Sequence, residues 1–421
     1  MTNGSPSGPA PDGWPPGASP ATTASTEANP ALATGFSGRR GALFWLALRT
    51  GALTVLTLGL YRFWMKTRLR RWYWSAIRPG GHPLEYVGDP WEKLLGFLVA
   101  VVILAFYIGL VNLVLMFLSF SLFQGNAAAY ALSLLGVVPL WFYAQYRARR
   151  YILARTRWRG LRFGLEPGAW GYAGRALWHW LLTLLSLGLL WPRMTFWLEK
   201  YKADRTFFGD ERMVQEGRWT MLLPALRWIV LALVLGLCAT ASLYSGLPLG
   251  APLMVGALVA GLYGLVYYRV ETLRRLTEHK RLGGARLTFD PSAFRVMVIT
   301  GLGYLVTVVL VSVPLALLGA ALLGVQALAL IDELELGEAA TLLTGLPDAA
   351  LIALSVALYF SIFLLWGAFR QVFVTLPILR HYALHLGVAE PQGLSAVRQR
   401  PRDEAHQAEG FAEALDVGAS L

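Results

Sequence analysis

The chain has 421 residues, of which 56% are hydrophobic and 15% are charged. Soluble domains average about 45–50% apolar and about 25% charged residues. The mean hydropathy of +0.50 therefore excludes an ordinary soluble enzyme and indicates a polytopic membrane protein. The single cysteine, Cys238, excludes a disulfide framework, a cysteine-ligated zinc site and an iron–sulfur cluster. The net charge of +12 points to anionic partners.

The composition of both ends of the chain predicts tails outside the folded part. Residues 1–38 are rich in proline, glycine, serine, threonine and alanine and contain no lysine or arginine. This composition predicts a disordered tail and lacks the basic start and apolar core of a secretory signal. Residues 388–421 are polar and of mixed charge, which predicts a second, C-terminal tail.

Six apolar runs are long enough to cross a bilayer, which requires about 20 residues per helix. They are 94–118, 127–146, 221–244, 246–268, 296–324 and 349–373. Consecutive runs pair into three transmembrane hairpins.

Two further runs are ambiguous: 42–64 is interrupted by Arg49, and 174–197 contains His179 and Pro192. If 174–197 crossed the membrane, the basic segments before and after it would lie on opposite sides. If it enters and returns, every basic segment is cytoplasmic, as the positive-inside rule favours. We therefore expect 174–197 to be re-entrant or interfacial, and its similarity to 42–64 suggests the same for that run.

An internal repeat underlies that similarity. Residues 57–65 (TLGLYRFWM) resemble residues 186–194 (SLGLLWPRM), and each stretch leads through a basic, aromatic segment to a hairpin of spans. Short stretches of alternating apolar and polar residues follow glycines at several points, and this pattern predicts extended connectors. An acidic residue and a proline follow each connector and predict the start of the next helix. The predicted units are 39–146, 147–268 and 269–387. Together these features predict an all-α polytopic membrane protein with three transmembrane hairpins, two re-entrant or interfacial helical segments and short extended cytoplasmic connectors.

Several motifs resemble a known family. They are residues 58–71 (LGLYRFWMKTRLRR), 84–88 (LEYVG) with 94–97 (LLGF), and 201–210 (YKADRTFFGD). They look like the YjgN-like family of bacterial inner-membrane proteins, a family of unknown function, over about 36–385. The resemblance implies a multi-pass protein of the bacterial inner membrane and supplies no activity or catalytic residue.

Basic residues beside the spans are the candidate ligand contacts, because such residues attract anionic headgroups by about 1 kcal/mol each. Arg49 and His179 join them as ionisable groups inside apolar runs. The candidates are Arg49, Lys66, Arg68, Arg70, Arg71, His179 and Arg193. The alternative is that these side chains only anchor and orient the helices. Nucleic-acid binding is not expected, since no recognised motif accompanies the charge.

The sequence predicts no catalytic, metal-binding or cofactor-binding residue. His381 and His385 are four residues apart but lack the glutamate of a metalloprotease motif. The six runs also carry no aspartate or glutamate at their centres, and this absence argues against ion-coupled transport, which usually uses such a carboxylate.

Three roles remain open: passage of a small solute or lipid through a duplicated bundle, a non-catalytic scaffold or anionic-lipid-binding protein, and an intramembrane enzyme. The first is favoured and the third is not expected. The expected partner is the lipid bilayer, with anionic lipids, and the basic loops are expected to be cytoplasmic.

Overall fold

The computed structural model describes residues 31–122, 128–329 and 348–401. The strands are β1 (Leu32–Phe36), β2 (Ile77–Pro79), β3 (Leu84–Tyr86), β4 (Thr156–Trp158), β5 (Leu161–Leu165), β6 (Thr206–Phe208), β7 (Glu211–Gln215), β8 (Lys280–Leu282), β9 (Ala285–Phe289) and β10 (Leu386–Ala389). The helices are α1 (Arg40–Leu56), α2 (Arg62–Ala76), α3 (Pro90–Leu122), α4 (Ala128–Ala154), α5 (Ala169–Leu185), α6 (Trp191–Ala203), α7 (Arg227–Tyr244), α8 (Gly250–Glu278), α9 (Ala293–Ala329), α10 (Asp348–Arg370) and α11 (Leu376–Leu384). A 3₁₀ segment (Trp219–Leu226) leads into α7, and a π-helical turn (Gln371–Thr375) joins α10 to α11.

These elements form five successive units, each a strand, a helical segment that leaves the sheet and returns, and a second strand. Within each unit the two strands pair antiparallel, from β1 with β2 to β9 with β10. Neighbouring units then join into one sheet of order β2-β1-β10-β9-β8-β7-β6-β5-β4-β3. The two edge strands follow each other in the chain, and the indole Nε1 of Trp158 on β4 donates a hydrogen bond to the Pro79 carbonyl of β2 at 3.3 Å. The sheet is therefore a nearly closed barrel.

The prediction of an all-α fold is wrong, because this ten-stranded antiparallel sheet collects every segment that the sequence analysis assigned to separate connectors. Each strand has only three to five residues, which is too short for its alternation to stand out from a loop. The strands form a sheet because the returning helices bring together strands that are far apart in sequence. The pairing of β1 with β10 joins the two ends of the described chain.

The number of predicted spans is also corrected. Among the described residues, four helical stretches are long and apolar enough to cross a membrane: Trp219–Tyr244, Gly250–Glu278, Ala293–Val313 and Leu358–Leu384. They overlap the last four of the six predicted runs, with bounds that differ by up to eleven residues. The first two runs fall in α3 and α4, which are not among the four. The acidic residues between the last two runs, Asp332, Glu333, Glu335 and Glu338, lie outside the described residues, and Asp348 begins α10.

The two runs expected to be re-entrant are short helical hairpins, α1–α2 and α5–α6, with the same turn. Leu58 and Gly59 have φ of 51° and 93°, and Leu187 and Gly188 have φ of 52° and 88°. The backbone N–H of each glycine donates to a carbonyl five residues earlier, at 2.7 Å from Gly59 and 2.8 Å from Gly188. Since the strands on either side of each hairpin pair with each other, each hairpin begins and ends at the sheet. The wider duplication of 39–146 and 147–268 stays a prediction.

The described parts of both expected tails belong to the barrel. Residues 32–36 form β1 and 386–389 form β10; residues 1–30 and 402–421 lie outside the described residues. Residues 391–401, which we name the C-terminal strap, place Leu394 and Val397 among the buried side chains inside the barrel. Asp210 fixes the strap, because its N–H donates to the Arg398 carbonyl and its Oδ1 accepts from the Arg398 N–H, both at 2.8 Å.

The first and last units also close on each other through their helices. Leu43 and Tyr73 from α1 and α2 share a buried cluster with Ala368 of α10 and Leu376 of α11. The Tyr73 hydroxyl donates to Oε1 of Gln371 at 2.7 Å. The helical segments are therefore arranged in the same circular order as the strands beneath them.

Candidate anionic-headgroup site

The candidates on α2 divide between two faces of the helix. Arg70 is 7% exposed, and its Nη1 donates to the Tyr86 hydroxyl at 3.4 Å. Lys66, one turn earlier on the same face, is half-buried. Arg68 is exposed and lies over the Tyr61 ring at 5.6 Å. Arg71 is exposed and donates to the Gly88 carbonyl at 2.8 Å.

The remaining three candidates lie in the short hairpins. His179 on α5 is buried, and its Nδ1 lies 3.5 Å from Nη1 of Arg193 on α6. Arg49 is exposed on α1 and lies over the ring of Trp45, one turn earlier, at 5.9 Å. The structure thus pairs His179 with Arg193 and brings Lys66 and Arg70 to one face, whereas Arg49 stands apart from both groups.

Arg70 belongs to a buried group that we name the lysine cluster: Arg70, Tyr86, Lys93 and Tyr151. Lys93, in the first turn of α3, is only 1% exposed. Its ammonium lies 5.0 Å from the Tyr86 ring centre and 5.8 Å from that of Tyr151. The Arg70 guanidinium on α2 lies 5.2 Å from the same Tyr86 ring centre. For the Arg70 guanidinium, a desolvated cation–π contact of this kind contributes about 2 kcal/mol, so the Tyr86 ring replaces part of its lost hydration.

The charges around Lys93 are mostly positive. The pKa of Lys93 falls from 10.5 to about 6, because burial disfavours its charged form and neighbouring cations repel it. Those cations, from the largest effect to the smallest, are Arg70, Lys66, Arg155 and Arg71. The neighbouring carboxylate is Glu92, whose Oε2 accepts from Arg155 Nε at 2.9 Å and from the Tyr151 hydroxyl at 3.2 Å. The lysine cluster is therefore a region of high positive potential at the start of α3.

A second, half-buried group has the opposite arrangement, and we name it the glutamate cluster: Glu199, Lys202, Lys280 and Arg149. The Glu199 carboxylate on α6 accepts from Lys202 at 2.9 Å, Lys280 at 3.0 Å and Arg149 at 3.4 Å. Burial alone would raise the pKa of Glu199, but these three cations hold it well below its usual range. One carboxylate thus ties α6 to the end of α4 and the start of β8.

Exposed arginines lie at the helix ends nearest the sheet. We name them the arginine belt: Arg39, Arg40, Arg71, Arg175, Arg218, Arg227, Arg269 and Arg295. Exposed tryptophans accompany them; Trp91 and Trp170 each occupy the second residue of a helix and are 63% and 62% exposed. The helices that continue from the belt expose large apolar side chains, such as Leu233 at 63% and Leu262 at 68%. Arginine and tryptophan beside an apolar surface are typical of residues at a membrane–water interface.

Comparison with known proteins gives one family. A family model described as "Bacterial protein of unknown function (DUF898)" matches residues 31–308, about two thirds of the chain. The chain belongs to this bacterial family. The match confirms the expectation of a bacterial family of unknown function, and it begins at β1 and ends inside α9. No curated protein and no solved structure matches the chain.

Two central residues of this DUF898 protein were missed by sequence reasoning. Lys93 directly precedes an apolar run, where a lysine is normally an interfacial anchor, and nothing local distinguishes it from one. Glu199 lies in a mainly basic stretch, and its partners Arg149 and Lys280 are 50 and 81 residues away. Within the described ranges, no three histidine, cysteine, aspartate or glutamate side chains lie close enough together to hold a metal ion.

Proposed function

We propose that this protein is a multi-pass protein of the bacterial inner membrane that binds anionic lipid headgroups along the arginine belt, with its sheet on the cytoplasmic side. The observation that carries the proposal is the arrangement of exposed arginines and tryptophans at the bases of apolar helices. Each such arginine attracts an anionic surface by about 1 kcal/mol. The motifs shared with YjgN-like proteins support the inner-membrane location.

The circular sheet supports the proposed orientation. Since all five units contribute strands to one sheet, the ends of all five helical segments meet on the same side. Arginine-rich ends favour the cytoplasm. One barrel with an arginine belt is thus compatible with cytoplasmic placement of all the basic segments, including those around the two short hairpins.

The tips of the short hairpins support contact with lipid as well. Leu58 is 92% exposed and Leu187 is 95% exposed, and a fully exposed leucine at a turn is stabilised by insertion among acyl chains. Passage of a small solute or lipid remains the prediction made from the sequence. The belt favours the lipid-binding role, because it places cations where headgroups lie.

Retention of phosphatidylglycerol by the purified protein in detergent, counted by native mass spectrometry, tests the proposal. The belt variant replaces Arg40 and Arg295 by glutamine. Both residues lie in the first turn of a helix, where a cation is unfavourable, so the fold should be retained. We expect phosphatidylglycerol to be retained about fivefold more weakly for each arginine removed. The belt variant should also no longer prefer phosphatidylglycerol over phosphatidylcholine.

The matched control replaces two exposed arginines of the sheet, Arg78 and Arg286, by glutamine. It has the same net charge as the belt variant but leaves the belt intact. We expect it to retain phosphatidylglycerol as the wild type does. Equal losses in both double variants would mean that net charge, and not the belt, attracts the lipid.

A further inference from the structure

The unit built on α5 and α6 contains two arginines that contact one tyrosine ring. The guanidinium carbons of Arg175 and Arg205 lie 4.7 Å and 3.7 Å from the Tyr201 ring centre. Tyr201 is buried, Arg205 is half-buried, and Arg175, a member of the arginine belt, is exposed. Two like charges therefore share one aromatic ring at the base of the second short hairpin.

The preceding unit, built on α3 and α4, contains a tyrosine and an arginine in the same arrangement. Arg155 follows Tyr151 by four residues, and its guanidinium carbon lies 4.1 Å from the Tyr151 ring centre. Arg205 follows Tyr201 at the same spacing. Each arginine directly precedes the threonine that begins a strand, β4 or β6. The two units therefore place a stacked arginine at the same point of the fold.

The two units differ in the carboxylate beside that arginine. Glu92, the third residue of α3, accepts from Arg155 Nε at 2.9 Å and from the Tyr151 hydroxyl at 3.2 Å. The third residue of α5 is Gly171. A side chain there would collide with the Tyr201 hydroxyl, because its Cβ would lie 2.6 Å from that oxygen. The α5–α6 unit thus has no acidic residue at the position of Glu92.

The neighbouring carboxylates of this unit are paired with other cations. Glu166, which precedes α5, forms an ion pair with Arg212 on β7. Asp204 forms one at 2.9 Å with the lysine one turn earlier on α6. Among the residues that the structure describes, no carboxylate forms an ion pair with Arg175 or Arg205. An anion from outside the chain would complete the arrangement that a glutamate completes in the preceding unit.

The surroundings of the two arginines favour a lipid as the source of that anion. Trp170, in the first turn of α5, is exposed, as tryptophans at a membrane–water interface are. Further along α5, Trp178, Leu181 and Leu184 are exposed as well. A headgroup at the base of the hairpin would therefore have an apolar helix surface beside its acyl chains.

We propose that Arg175 and Arg205 form a discrete site for the headgroup phosphate of one anionic phospholipid, with Tyr201 positioning both guanidinium groups. A guanidinium group can bind a phosphate through two parallel hydrogen bonds. This inference rests on the proposed function, because it assigns one of the lipids at the arginine belt to a defined pair of residues.

Photo-cross-linking of the full chain in phosphatidylcholine nanodiscs tests the proposal. The probe is phosphatidylglycerol with a photoreactive diazirine on its headgroup, and mass spectrometry of peptides locates the adducts. We expect adducts on residues 168–174 of the wild type and an at least tenfold lower yield there for Arg205→Gln. Arg175→Gln should lower the yield equally, and it should retain the fold because Arg175 is exposed.

The matched control is Arg227→Gln. Arg227 is an exposed arginine of the belt whose guanidinium lies 4.5 Å from the Tyr267 ring centre, so the variant removes the same charge and a similar aromatic contact. We expect its adducts on residues 168–174 to equal those of the wild type. Equal yields there for Arg205→Gln and Arg227→Gln would overturn the discrete site and leave the belt intact.

Two further outcomes separate this site from the proposed function and from a soluble ligand. If phosphatidylglycerol gave no more adducts along the belt than photoreactive phosphatidylcholine, the site and the proposed function would both fail. If glycerol 3-phosphate at the concentration of the probe abolished the adducts on residues 168–174, the site would belong to a soluble phosphate, and the assignment to a phospholipid would be overturned.

Discussion

The lysine cluster and the glutamate cluster differ in how they bury charge beside the bases of apolar helices. The lysine cluster surrounds Lys93 with cations and places aromatic rings against them. The glutamate cluster surrounds one carboxylate, Glu199, with three cations at 2.9 to 3.4 Å. The first arrangement maintains a positive potential at the expense of stability, whereas the second joins two helices, α4 and α6, to strand β8 electrostatically. The difference indicates that charge burial stabilises the glutamate cluster and destabilises the lysine cluster.

The largest expected effect is on the glutamate cluster. Replacing Glu199 by glutamine leaves three cations around an uncharged group. Breaking a fully buried ion pair in this way costs about 3–5 kcal/mol, and because the Glu199 side chain is 16% exposed, the lower end of that range, about 3 kcal/mol, applies. We expect the free energy of unfolding in detergent, measured by denaturant titration, to fall by about that amount.

Glu216→Gln is the control for this measurement. The Glu216–Arg281 pair has a similar distance of 2.8 Å, but its side chains are 43% and 42% exposed. Exposed pairs contribute about 0–1 kcal/mol, so the loss should be much smaller. Equal losses for Glu199→Gln and Glu216→Gln would contradict a stabilising role for the glutamate cluster.

The lysine cluster should respond to pH instead. The folded-state pKa of Lys93 is about 6, against 10.5 for an ordinary lysine, so between these values the unfolded chain binds a proton that the folded chain does not. Stability should therefore rise with pH above about 6, by on the order of 1 kcal/mol per pH unit. Below pH 6 both states are protonated and this dependence disappears.

Two variants isolate that contribution. Lys93→Met removes the titrating group, and Lys93→Arg keeps a charge that does not titrate in this range. We expect both to flatten the rise of stability between pH 6 and pH 9, with the arginine variant the less stable of the two. An unchanged slope in Lys93→Met would assign the pH dependence to another group.

The four candidate spans could be predicted from sequence, because an apolar run of about 20 residues carries its own signal. The start of α3 could be predicted as well: it begins at Pro90, directly after Asp89, as an acidic residue before proline indicates, whereas α5 and α9 begin two residues after Pro167 and Pro291. These features depend only on neighbours in the chain.

Six of the nine strand pairings, and both clusters, join residues that are far apart in the chain, and no local pattern reports them; the other three pairings are tight hairpins. Leu386 pairs with Phe289 across almost 100 residues, and Glu199 meets Lys280 across 81. For the candidate site, the sequence identified the charge-rich segment around Lys66 and Arg70 as a candidate for ligand contacts. Lys93, Tyr86 and Tyr151 could not be assigned to it, because only the returning helices bring them together.

The smallest expected effect is on the strained turns at the tips of the two short hairpins. Leu58 and Leu187 have positive φ, a conformation that costs a residue with a side chain about 1 kcal/mol. Glycine removes that strain but adds roughly 0.5 kcal/mol of chain entropy to the unfolded state. In detergent, Leu58→Gly and Leu187→Gly should therefore each raise the free energy of unfolding by on the order of 0.5 kcal/mol. Leu60→Gly and Leu189→Gly lie at exposed positions without positive φ and should lower it; the same sign for Leu58→Gly and Leu60→Gly would mean that the turn is not strained.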